Sequence, residues 1–190
     1  LRKPLLISHL LALSEEEFAY LLFMYLSKRG IYQPLSKGAL SEIRKILLSP
    51  KPNLERKINA EFKLVKAYDK LYLLSRKRLE NYEIILQKPC RFKNDWLEID
   101  LIRGGSKRGI SEGDYPITIR SYREDDQYEI SGYLTPIRRL YIDWKMPLHL
   151  RAVWPVFVNA NGRVIYVPRY RDDFEQIEYS DLIIRLPFIC

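Results

Sequence analysis

The sequence predicts an α+β fold: a helical unit with a β-hairpin, followed by a β-rich unit that carries a basic helix. Three observations predict it. Residues 14–28 and 36–48 repeat apolar side chains at helical spacing. From residue 62 the period shifts to two. Residues 136–170 then combine a short arginine-flanked helical stripe with an Asn-Gly hairpin signal.

Leucine-rich residues 5–13 predict a buried helical entry. Ser14, with Glu17 three residues on, is a capping box, and Glu15 to Glu17 complement the positive end of the helix dipole. Phe18, Leu21, Leu22, Tyr25 and Leu26 form one apolar face, and Lys28-Arg29-Gly30 closes the helix. A second helix begins after Ser36, with Leu40, Ile43 and Leu47 inward and Lys37, Arg44 and Lys45 outward; Pro50 and Pro52 end it. Phe62 and Leu64, then Leu71 and Leu73, flank the turn Tyr68-Asp69-Lys70, which predicts a hairpin packed on the two helices. Arg76-Lys77-Arg78 closes this first unit. The expected organisation is 1–78, connecting strands and loop over 79–115, and 116–190. Strands are expected at 82–86, 96–102, from Ile117, and near 182–186. The basic Gly-rich loop 103–109 is favoured as a solvated turn over a phosphate contact.

Composition bounds the chemistry. At 190 residues and 47% hydrophobic, the chain can build a real core. Its net charge of +8 favours a polyanionic partner. The surplus is uneven: residues 1–95 carry 19 basic and 10 acidic residues, and the remainder carry 13 and 14. Two distant cysteines, Cys90 and Cys190, fit a reducing compartment. No apolar run approaches 18 residues and no signal peptide is visible, so a soluble chain with no membrane partner is expected. The start at Leu1, without Met, suggests a piece of something longer. His9 and His149 show no metal-ligand spacing with the cysteines, and there is no P-loop, dinucleotide fingerprint or nucleophile elbow. No catalytic and no metal residues are expected. Glu124-Asp125-Asp126 is favoured as an ion-pairing or turn-capping group over a cation site.

The functional weight falls on residues 136–170. Ile137, Leu140 and Tyr141 recur at helical spacing, with Arg138 and Arg139 beside them. Pro147 opens a short second helix in which Leu148, Leu150 and Val153 turn inward and Arg151 outward. Asp143 is the one acid among these cations, too few to neutralise them, so Arg138, Arg139, Lys145 and Arg151 are expected to contact phosphate. Arg120 and Arg123 either extend this basic surface or pair with the acids that follow them; both readings stand. Tyr141, Trp144 and Trp154 can stack on bases or fill the core, with core favoured for Trp154.

The ordered series Pro116-Ile-Thr-Ile-Arg120, Arg123, Asp126, Arg138-Arg139-Leu140, Ile142-Asp143, Lys145-Met146-Pro147, Arg151, Trp154-Pro155 and the Asn161-Gly162 hairpin resembles the C-terminal domain of tRNA(Ile)-lysidine synthetases. The family's Gly-Asp pair stands as Asp125-Asp126 here. Upstream, the two helices and the hairpin are similar to that family's middle, substrate-binding domain. The resemblance implies an ATP-dependent ligase that attaches lysine to the wobble cytidine of isoleucine tRNA with a CAU anticodon. It implies a cytoplasmic protein in which 1–78 is an α-rich tRNA-binding domain and 116–190 a second one. Arg120, Arg123, Arg138, Arg139, Lys145 and Arg151 would hold the tRNA backbone, toward the acceptor stem. The family's Ser-Gly-Gly-x-Asp-Ser loop is absent, so ATP, Mg and lysine are implied only for a missing N-terminal domain, and this chain is expected to be inactive alone. A stand-alone RNA-binding module and a protein-interaction domain with an acidic partner are the alternatives.

Overall fold

The computed structural model describes residues 4–76, 82–94, 97–104, 109–171, 176–179 and 182–185. Lys77, Arg78, Trp96, residues 105–108, Leu186 and Cys190 lie outside the described residues. The chain forms two compact units, one built on Leu1–Arg78 and one on Leu79–Pro187.

The first unit runs β1 (Leu5–Leu6), α1 (Ile7–Leu11), α2 (Glu15–Ser27), α3 (Lys37–Leu48), β2 (Asn53–Lys57), β3 (Phe62–Ala67) and β4 (Lys70–Ser75). Its antiparallel sheet has the order β1-β4-β3-β2. Ser14 caps α2 as a full capping box, and Ser36 caps α3 by accepting the Ala39 N–H. Gly30, at φ +79°, lets the chain leave α2, and the Ile31 N–H reaches back to the Leu26 carbonyl. Phe18, Leu22 and Leu26 of α2 and Ile43 and Leu47 of α3 share one core with Leu64, Leu71 and Leu73 of the hairpin. The buried entry helix is shorter than expected: α1 turns Ile7 and Leu10 inward and leaves His9 exposed.

Two side chains here depart from the sequence reading. Arg44 is half-buried rather than outward. It donates to the Leu13 carbonyl at 2.9 Å and lies 5.3 Å from the Phe18 ring centroid. Lys66 is 6% exposed, and its Nζ donates to the carbonyls of Ile46, Leu47 and Ser49. Burial pulls its pKa down. The carbonyls at the negative end of α3 are what accommodate an ammonium there.

The second unit runs β5 (Glu83–Leu86), β6 (Arg91–Lys93), β7 (Leu97–Asp100), α4 (Leu101–Gly104), β8 (Ile117–Ser121), β9 (Gln127–Ile130), β10 (Tyr133–Pro136), α5 (Ile137–Asp143), α6 (Leu148–Arg151), β11 (Pro155–Val158), β12 (Val164–Tyr166), β13 (Gln176–Tyr179) and β14 (Leu182–Arg185). One sheet has the order β10-β9-β12-β11-β8-β5, and a second β13-β14-β7-β6. The strands between residues 83 and 100 are therefore sheet members: β5 pairs with β8, and β7 lies between β6 and β14. The strand expected over 96–102 stops at Asp100, whose carboxylate accepts the Ile102 N–H at 3.1 Å and turns the chain into α4. Ile117, Ile119, Val156 and Phe157 fill the middle of the larger sheet. Trp154 is 1% exposed, donates its indole N–H to the Pro168 carbonyl and meets Tyr170 edge-on.

Candidate nucleic-acid interface

Helix α5 presents the cations. It follows Pro136 directly, and its 3.6-residue period buries Ile137, Leu140 and Tyr141 while leaving Arg138 and Arg139 in solvent. The helix closes with two reversed hydrogen bonds, Lys145 N–H to the Ile142 carbonyl and Met146 N–H to the Tyr141 carbonyl, both 2.9 Å. This closure needs a left-handed residue, and Lys145 occupies it at φ +51°. Met146 is pulled fully inside and the Lys145 side chain is left exposed.

Arg138, Arg139 and Lys145 are thus brought together on one short element. Arg138 and Lys145 have no ion pair among the described residues. Arg139 stands 4.0 Å from Asp143, both well exposed, a geometry that contributes little. Arg151 differs from expectation. It is half-buried, and its Nε donates to the Met146 carbonyl at 2.8 Å, folding the guanidinium back over the turn. Leu148, expected inside, is exposed, while Leu150 and Val153 are buried.

Arg120 takes the pairing alternative. It lies on β8, is 7% exposed, and donates to both carboxylate oxygens of Asp126 at 2.7 and 2.8 Å. Asp126 also accepts the Arg123 N–H. Burial pushes the Asp126 carboxyl up, but the Arg120 hydrogen bonds, the Arg123 N–H and the two positive charges together hold it below the ordinary carboxylate range. Arg123 keeps its guanidinium in solvent, 3.4 Å from Glu83. Arg120 therefore lies beneath the surface on which Arg138 and Arg139 stand out, for the physical reason that a buried guanidinium requires its carboxylate.

The aromatics follow the same division. Tyr141 is fully buried, edge-on to Tyr122 at 5.3 Å, and Trp154 is in the core, so neither ring offers a face to a base. Trp144 is half-exposed and tilted against Tyr141. The sequence reading did not single out the left-handed backbone at Lys145, which periodicity does not encode. The Arg120–Asp126 bond had a signal: an arginine and an aspartate six residues apart across a turn.

The residues present do not fit ATP or Mg. The sequence has no Ser-Gly-Gly-x-Asp-Ser loop, and among the described residues no group of three or more His, Cys, Asp or Glu could hold a metal. No helix of the described residues is long and apolar enough to cross a membrane.

No protein-family model matches the chain. Curated relatives do. Over 72 residues the chain is 29% identical to the tRNA(Ile)-lysidine synthase of Bacillus subtilis, covering 37% of this chain and 14% of that protein. The chain is similar to tRNA(Ile)-lysidine synthases. The synthase of Bacillus thuringiensis is 38% identical over 56 residues, or 28% of this chain and 12% of its own length. That of Bacillus licheniformis is 26% identical over 70 residues, or 35% and 15%. The matched stretches are thus a small fraction of each synthase, and the likeness is to a part of those proteins.

Proposed function

We propose that this chain is the tRNA-holding part of a tRNA(Ile)-lysidine synthetase, the ATP-dependent ligase that attaches lysine to the wobble cytidine of isoleucine tRNA with a CAU anticodon. Arg138, Arg139 and Lys145 contact phosphate, with Arg123 at the edge of the patch and Arg151 bracing the turn that carries Lys145. ATP, Mg and lysine are handled outside these 190 residues, in a cytoplasmic enzyme of which this is the gripping region. The observation that carries the reading is the exposure of three cations on one helix and its closing turn, opposed only by the loose Asp143 contact. The similarity to synthases names the RNA. Backbone contacts of this kind set register and orientation and leave sequence to other groups.

The test is binding of the purified chain to isoleucine tRNA with a CAU anticodon, to elongator methionine tRNA and to a random RNA across a salt series. Preferential, salt-sensitive binding to the first supports the reading. Arg138→Gln with Arg139→Gln should lower the slope of log affinity on log salt by about 0.7–0.9 per lost contact. An unchanged slope removes both residues from the interface.

A further inference from the structure

We propose that Arg120 and Asp126 are positioning residues for the RNA-facing helix: they touch no RNA, and they fix where α5 begins. The inference rests on the reading of α5 as the tRNA-facing element. It goes beyond it by assigning a role to a pair that lies underneath.

The geometry forms a continuous path. β8 is an inner strand, hydrogen-bonded to β5 on one side and β11 on the other. Arg120 leaves it as a buried side chain, donates also to the Ser121 carbonyl, and engages both oxygens of Asp126. A two-point bond of this kind fixes direction as well as distance. The same carboxylate accepts the Arg123 N–H, and the Asp126 N–H returns to the Arg123 carbonyl, so the whole 123–126 turn is held by one side chain. The main-chain carbonyl of Asp126 then accepts the Ile137 N–H at 3.0 Å.

That last bond is where the helix is set. Helix starts leave unpaired N–H groups, and α5 has no side-chain cap, because its cap residue is Pro136. The Asp126 carbonyl stands in for the cap. The hairpin of β9 and β10 makes this possible: Gln127 pairs with Pro136, so the residue before the hairpin meets the residue after it. Arg138 and Arg139 are the next two residues along the helix. Both side chains of the pair are 9% exposed, which leaves no oxygen or nitrogen free to serve as a phosphate contact at the surface.

Electrostatics and positioning predict opposite signs for one substitution. Asp126→Asn removes a negative charge from a polyanion-binding unit, so direct attraction predicts tighter RNA binding. Positioning predicts weaker binding, because the amide cannot accept both guanidinium bonds and the turn under α5 loosens. Asp125→Asn, the same charge change at an exposed neighbour, is the control.

The experiment has two readouts on the full chain. Amide hydrogen exchange of the free protein follows Ile137 to Tyr141, and salt-dependent tRNA binding follows function. Asp126→Asn and Arg120→Lys should each speed exchange at Ile137 and the next amides roughly tenfold, the loss expected for a charged hydrogen bond, and weaken tRNA binding by a similar factor. Arg120→Lys keeps the charge and loses the fork, so it also keeps the test alive if Asp126→Asn fails to fold. Asp125→Asn should leave exchange unchanged and binding equal or tighter. Unchanged exchange in Arg120→Lys, or Asp126→Asn binding as tightly as Asp125→Asn, overturns the proposal while leaving the tRNA reading standing. If Arg138→Gln with Arg139→Gln binds tRNA as the parent does, the tRNA reading itself fails, and the positioning role falls with it.

Discussion

Lys145→Gly should stabilise the fold and weaken RNA binding at the same time. Lys145 sits at φ +51° because the closing turn of α5 requires a left-handed residue at that point. For an L-residue with a side chain that conformation costs about 1–2 kcal/mol, and glycine adopts it freely. Glycine also loses more entropy on folding, about 0.4–1 kcal/mol. The difference favours the variant by about 0.5–1 kcal/mol, a rise in Tm of about 2–4 °C for a unit of this size. No contact is given up, since the Lys145 side chain is exposed and has no ion pair among the described residues. The same substitution removes one cation, so the salt slope of tRNA binding should fall by about 0.7–0.9. Lys145→Ala separates the two effects: it loses the same slope and keeps the strained backbone, so its Tm should not rise. Calorimetry and fluorescence anisotropy between 50 and 200 mM salt, as in the range over which phosphate contacts are usually resolved, would measure both. A lower Tm for Lys145→Gly would refute the strain assignment. An unaltered slope in both variants would refute the phosphate contact.

Lys66→Met should destabilise the first unit by about 2–3 kcal/mol in urea unfolding, because three carbonyls at the end of α3 lose their buried donor; no measurable loss would mean that water satisfies them. Asp126 is held below the ordinary carboxylate range, so its stabilising contribution is complete above about pH 3.9 and is lost as the pH falls through its lower folded value. Acid unfolding of the parent and Asp126→Asn should therefore converge in stability below about pH 4, and a constant difference down to that range would contradict the shift. The whole chain should show a salt slope steeper than about −3, the value for three duplex phosphate contacts; a slope at or below that magnitude would confine binding to α5.

The helical half of the fold was legible because its signals are local. The Ser14 capping box, the Ser36 cap and the apolar faces of α2 and α3 all depend on residues within a few positions of each other. The Asn161-Gly162 hairpin was legible for the same reason, with Gly162 at φ +78° between β11 and β12. What the sequence hid is non-local or conformational. Whether Arg120 faced solvent or an acid depended on which way a turn folded Asp126. Arg151 carries a charge that suggests exposure, yet a carbonyl five residues back holds it half-buried. Lys66 sits in a strand whose two faces are both covered over residues 64–67, so alternation could not mark it as inward. Tyr141 and Trp154 illustrate the limit for aromatics: neighbouring cations make a stacking role plausible in sequence, and packing decides against it.

Charge counting and geometry divide the proposed grip into two parts. Three phosphate contacts on α5 would change affinity only about 40-fold between 50 and 200 mM salt, at a slope of about 0.9 per contact. That is too little to hold a tRNA by itself, and residues 1–78, with 16 basic and 7 acidic side chains, hold the larger surplus. Diffuse charge attracts a polyanion from any side and leaves its orientation free. Orientation needs cations whose backbone cannot move. Of the cations of the second unit, Arg138 and Arg139 meet that condition most directly, on a helix whose first N–H is tied through Asp126 and Arg120 to an inner strand. In an enzyme that modifies one base of a large RNA, a modest but directional contact contributes more to placing that base than a stronger contact free to rotate.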